Sequence, residues 1–130
     1  MGKWPITGSL MLTTAIGTTG CGGSSFGGPS PIPPEGLAAT ITITASGASP
    51  KHVVVGRGSQ VLFINSDSRD HQMFSDPHPE HTDCPAFDQV GALAPGQSRA
   101  TGNLNTARTC GFHDHIHFAE EALKGTVTVE

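Results

Sequence analysis

A chain of 130 residues is the size of one small domain, and its seven His, three Cys, six Phe, single Trp and absent Tyr leave a core to be built from Val, Ile, Leu, Ala and Phe. The 17 Gly and 10 Pro stand above average usage and exclude long helices. Seven basic against eleven acidic side chains give a formal net charge of −4, which excludes a basic nucleic-acid footprint and a polybasic segment for anionic lipid.

Residues 1–20 read as an export signal of the lipoprotein type. Lys3 supplies an early cation, Ile6 to Ile16 a mixed apolar stretch, and Thr18-Thr19-Gly20 the small residues ahead of Cys21, which is then the lipid-accepting residue. That stretch is shorter than the roughly 20 apolar residues a bilayer span needs. Residues 21–37 are rich in Gly, Ser and Pro and can bury almost nothing, so they read as a partly extended tether. The expected location is outside the cytoplasm, periplasmic or at the cell surface, with a lipid anchor in the membrane. Thiols that lie close together in that compartment tend to pair.

Residues 38–130 read as short strands. Ile41 and Ile43 alternate with Thr40, Thr42 and Thr44, the period of a half-buried strand, and Gly47 ends it. Val53-Val54-Val55 precedes a Gly56-Arg57-Gly58 turn, and Val61-Leu62-Phe63-Ile64 is apolar enough to be buried on both faces. Asn65-Ser66-Asp67 then breaks the strand, because these side chains hydrogen-bond their own backbone in turns. A polar stretch runs from Asp76 to Pro85, Ala94-Pro95-Gly96 makes a turn, and weaker strands follow over Ser98 to Leu104 and Thr109 to His113. Ala119 to Lys124 is the one candidate helix, about a turn long, and Gly125 to Val129 is a clear last strand. Short strands without an amphipathic helix predict an antiparallel sandwich or barrel.

Six of the seven His lie between positions 71 and 117, around Cys84 and Cys110. Imidazole and thiolate suit copper, zinc, nickel or iron rather than calcium or magnesium. If the second cluster stays extended, His113, His115 and His117 fall on one face by strand alternation. His78 and His81 lie in a loop with Asp76, Glu80 and Asp83, which makes them candidates for a secondary ion. Met73 shares the face of His71 and reads as core, and His52 as surface.

The stretch from Pro50 to Asp67, followed at His71 by Gln72-Met73-Phe74, resembles the cupredoxins, which have a strand, a Gly turn, a buried strand ending in Asn-x-Asp and then a copper-binding His. Leu93 to Ser98 and Leu123 to Val129 are similar to that family's closing strands. The resemblance implies an all-β fold, a cupredoxin-like Greek-key β-sandwich of about seven to eight short strands, and one copper ion. It implies a carrier of single electrons that works with a redox partner protein; with the export signal and the acidic charge, the expected protein is membrane-tethered, monomeric and without a nucleic-acid partner. It also implies a site of His71 and Cys110 with His113 or His115, since Cys-x-x-His and Cys-x-x-x-x-His are both family spacings. Leu123 takes the axial position where the family has Met.

A second register stays open beside this one. Arg108 to His115 also resembles the strand of cupredoxin-like proteins that lack the blue-copper Cys, where Cys110 takes an inward aromatic position. Cys84 is then its disulfide partner, and the site is His-only, from His71 with His113 or His115. Such a site suits Cu(II) or zinc and a protein that takes copper from a donor and gives it to an acceptor. An enzyme, a small metal-dependent oxidase or dismutase, ranks last, because the chain shows no evident general base or substrate pocket.

Overall fold

The computed structural model describes Gly2 and residues 36–130. The predicted export signal from residue 3 on, the Cys21 anchor and the tether up to residue 35 lie outside the described residues.

Nine strands form among the described residues: β1 Leu37–Thr44, β2 Gly47–Ser49, β3 His52–Val55, β4 Gln60–Asn65, β5 His71–Ser75, β6 Gly91–Leu93, β7 Ser98–Ala100, β8 Arg108–Asp114 and β9 Gly125–Val129. They make a four-stranded sheet in the order β2-β1-β4-β7 and a five-stranded sheet in the order β3-β9-β8-β5-β6. The sheets are mixed rather than antiparallel, since β1 pairs with β4 and β3 with β9 in parallel. The reason is topological: the chain changes sheet five times, after β2, β3, β4, β6 and β7, so neighbours in space are not neighbours in sequence.

The two inner faces close over Ile41, Ile43, Val61 and Phe63 on one side and Met73, Leu93, Phe112 and Val127 on the other, all fully buried. Phe63, Phe87 and Phe112 pack at centroid separations of 5.3 to 6.3 Å, an aromatic centre built from Phe alone. In β4 the burial alternates, with Leu62 and Ile64 only half-buried. Expected burial on both faces fails there because the outer face of the four-stranded sheet is open to solvent. The candidate helix contracts to a single 3₁₀ turn, Glu121–Leu123, which inserts Leu123 into the core. The strand expected over Ser98 to Leu104 stops at Ala100, and Leu104 instead bridges to Ser59.

Strand parity decides what each histidine can reach. In the β5–β8 pair Met73 faces Asp114, Phe74 faces His113 and Ser75 faces Phe112. His71, Met73, Cys110, Phe112 and Asp114 therefore share the inner face, and Phe74, Gly111 and His113 the outer one.

Candidate metal centre

The segment after β5 folds back over the outer face of β8. Asp76 donates its backbone N–H to the Gly111 carbonyl at 3.0 Å, and Gly111 has no side chain to obstruct it: a Cβ there would collide with the Asp76 carboxylate. That carboxylate accepts a hydrogen bond from His113 Nδ1 at 2.6 Å. With Nδ1 as donor, the lone pair of His113 lies on Nε2. His113 is 2 % exposed, and its Nε2 is buried with no hydrogen-bond partner.

Three more imidazoles surround that atom. His78, His81, His113 and His115 each bring one ring nitrogen to within 4.8 Å of the others. His81 stacks on Phe74 at a centroid distance of 4.4 Å and has φ 55°, the one left-handed non-glycine backbone among the described residues; such conformations gather at ligand clamps. His115 Nδ1 lies 3.1 Å from His81 Nε2, and its backbone N–H donates to the Gln72 carbonyl at 2.7 Å, extending the strand by a residue. His78 is exposed and stacks on Phe118 at 4.6 Å. Removal from water lowers the pKa of both His78 and His81, with the neighbouring imidazoles pushing the same way. Both effects favour neutral rings, the form that binds metal.

His71 lies elsewhere. It is fully buried on the inner face, with Asp114 Oδ2 2.5 Å from Nδ1 and Asp67 Oδ2 3.0 Å from Nε2. The strand-breaking turn positions it: Asn65 Oδ1 accepts from the Asp67 N–H, and Asn65 Nδ2 donates to the Arg69 and Leu93 carbonyls. A hydrogen bond from Arg69 holds Asp67 down at a pKa of about 2, against the opposing effect of burial. His117 joins His71 rather than His113 and His115, at a ring-centroid distance of 5.5 Å. The extended strand ends at Asp114 and the chain turns, so the three alternating histidines do not keep one face.

Cys110 is bonded to Cys84, with Cα atoms 5.7 Å apart. Its sulfur is a disulfide sulfur on the inner face, where it packs in the core, so neither Cys84 nor Cys110 offers copper a thiolate. Leu123 is likewise core and carries no donor atom. The structure thus divides the predicted set: His113 and His115 join His78 and His81, His71 stands with Asp114 and His117, and Cys110 belongs to neither group. Met73 is core, and His52 is exposed with Nδ1 2.8 Å from Thr126 Oγ1. Asp67 and Asp114 were not singled out as site residues in the sequence, and Asp76 entered only as part of the acidic loop around His78 and His81. Asp114 carried a signal in its place between His113 and His115, whose strand parity is opposite to its own.

No protein-family model matches the sequence, and no curated protein matches it. Solved structures do. A purple cupredoxin from Nitrosopumilus maritimus superposes with a TM-score of 0.56 at 19 % identity, over 72 % of this chain and 100 % of that one. Plastocyanin from Dryopteris crassirhizoma gives 0.54 at 19 %, over 70 % and 99 %. The domain has the cupredoxin fold. A reduced amicyanin variant gives 0.53 at 19 %, over 72 % and 82 %. Within this cupredoxin sandwich both imidazole groups sit on the β5–β8 pair, one inside the sandwich and one on the outer face under the Asp76–Asp83 loop.

Proposed function

We propose that this cupredoxin-like domain binds copper, as Cu(II), through His78, His81, His113 and His115, and that it holds the ion and hands it on outside the cytoplasm. The observation that carries the reading is the buried, unpartnered Nε2 of His113, backed by a carboxylate on Nδ1. A buried ring nitrogen without a partner is costly, and a carboxylate–imidazole pair is the arrangement that orients a metal-ligating His. Four imidazoles and no thiolate suit Cu(II), with Zn(II) as the competing ion. The predicted export signal and the Cys21 anchor, read from sequence, supply the location and the membrane tether.

A second reading, a carrier of single electrons, is favoured by the fold alone: plastocyanin and amicyanin have been solved in oxidised, reduced and Cu(I) forms. In this chain it requires copper to cycle on imidazoles.

Titration of the non-reduced domain with Cu(II) tests the four-imidazole site that both readings require. The expected adduct is weakly coloured, shows no free thiol at positions 84 and 110, and loses more affinity in His113→Ala than the about 10- to 100-fold that loss of an outer-shell partner costs. Intense visible thiolate-to-copper absorption that Cys110→Ser abolishes, or unchanged affinity in His113→Ala, would overturn the reading.

A further inference from the structure

We infer that the Cys84–Cys110 disulfide exchanges with small anionic thiols, which reach it through a cavity at the inner face of β8, and that its opening loosens the loop carrying His78 and His81. Neither step requires copper to be bound.

The cavity has a volume of about 200 Å³, below the roughly 300 Å³ at which pockets for drug-sized molecules begin, so it admits a molecule of only a few heavy atoms. Its buried lining includes both cysteines with Leu104 and Val129 beside them, and its exposed lining includes Asn105 and Arg108. No histidine lines it, so it is separate from both imidazole groups. Strand parity places Arg108 on the same face of β8 as Cys110. The disulfide is the one bond in this lining that a small nucleophile can break, and a thiolate is the nucleophile that breaks it. Arg108 gives the rim its positive charge. Its ion pair with Asp83, at 3.8 Å between partly exposed side chains, is loose and leaves the guanidinium able to attract a second anion. A thiol that carries a carboxylate fits both features.

Access selects the sulfur that is attacked. Cys84 retains 5 % exposure and Cys110 none. The thiolate attacks the Cys84 sulfur and the bond between the cysteines breaks. Its electron pair leaves on the Cys110 sulfur, which takes up a proton because burial raises the pKa of a thiol. The products are a mixed disulfide on Cys84 and a Cys110 thiol. A second thiolate then attacks the small-molecule sulfur of the mixed disulfide, and the Cys84 sulfur leaves and is protonated. Two small thiols thus give up two electrons to become one disulfide, and the protein disulfide takes them to become two thiols.

Cys84 ends the loop that begins at Asp76. Within that loop the His81 N–H donates to the Pro77 carbonyl at 2.7 Å and the Asp83 N–H to the Asp76 carbonyl at 2.8 Å. The disulfide fastens the loop end to β8 across 26 residues of sequence, and breaking it restores chain freedom next to Asp83. The His81 and Asp83 amides therefore report the state of the bond.

The test treats the metal-free, disulfide-intact protein with thioglycolate and with mercaptoethanol, each rate expressed per thiolate. The expected result is a first adduct on Cys84, found by acid quench and peptide mass spectrometry, that forms in proportion to thiol concentration and is insensitive to sub-denaturing urea. The rate ratio of thioglycolate to mercaptoethanol should fall about 3- to 5-fold in Arg108→Gln, the effect of one partly exposed charge, and hold in Arg108→Lys. After full reduction the His81 and Asp83 amides should lose hydrogen-exchange protection while those of Ile41 and Phe63 keep theirs. A rate that rises with urea as steeply as global unfolding does, or a first adduct on Cys110, overturns the cavity route in the parent protein without any variant. An unchanged rate ratio in Arg108→Gln overturns the anionic class of thiol. Unchanged protection of His81 and Asp83 in the reduced protein overturns the coupling to the loop.

Discussion

At the residue scale the decisive group is the Asp76 carboxylate. It does not reach the centre of the four-imidazole group; it accepts the Nδ1 proton of His113 and so directs the lone pair of Nε2 inward. Carboxylates in this role raise the basicity of the ring and fix its orientation, and their loss costs about 10- to 100-fold in metal affinity. Asp76→Ala is therefore expected to weaken Cu(II) binding by that factor while leaving the stoichiometry at the outer site unchanged, measured by competition with a chromophoric chelator. Gly111→Ala reaches the same bond from the opposite side, because its Cβ would meet the Asp76 carboxylate. An Asp76→Ala protein with unchanged affinity would mean that His113 is oriented by the strand alone.

At the scale of elements, the group depends on two segments meeting: the Asp76–Asp83 loop with His78 and His81, and β8 with His113 followed by His115. The Cys84–Cys110 disulfide joins them at the end of the loop, closing 26 residues of chain, a constraint worth on the order of 3 to 4 kcal/mol in the chain-entropy account. Replacement of both cysteines, Cys84→Ser with Cys110→Ser, is expected to lower unfolding stability by about that amount in denaturant titration. It should also weaken Cu(II) binding while leaving its spectrum unchanged, because neither sulfur is a ligand. A change in the spectrum would return Cys110 to the metal. This element also marks what could be read from the chain alone. The strands were legible because Ile41 and Ile43 alternate with Thr, and because Gly and Asn-Ser-Asp punctuate the segments. The family likeness in the stretch up to His71 carried the sandwich architecture with them. The composition of the site was legible too, as six clustered histidines. Its division into two groups was not, because that depends on where β8 ends and on how a Pro-containing loop folds back over an outer face. Neither has a periodic signature. The disulfide was legible only as one of two registers; the inward parity that Cys110 shares with Phe112 and Asp114 is what selects it.

For the whole molecule, the sandwich is a small core under load. Phe63, Phe87 and Phe112 form its aromatic centre, while Asn65, Asp67, His71, Ser75, Thr101, His113 and Asp114 are buried polar or charged residues in the same domain. Several of these belong to the two imidazole groups, so part of the interior is given to polar and ionisable contacts rather than to apolar packing. A ligand that binds only the folded state stabilises it by RT ln(1 + [L]/Kd), about 2.7 kcal/mol at a free concentration 100 times Kd. In a domain of this size each kcal/mol moves the unfolding midpoint by roughly 4 to 8 °C. Saturating Cu(II) is therefore expected to raise Tm by on the order of 10 to 20 °C from one site, reversibly on chelation and with the disulfide intact. His113→Ala should lose that rise. Scanning calorimetry of the parent and of His113→Ala, each with and without copper, measures the difference. An unchanged Tm in the parent protein at saturation would mean that copper binds the unfolded histidines as well as the folded site, and that the four-imidazole group is not preformed.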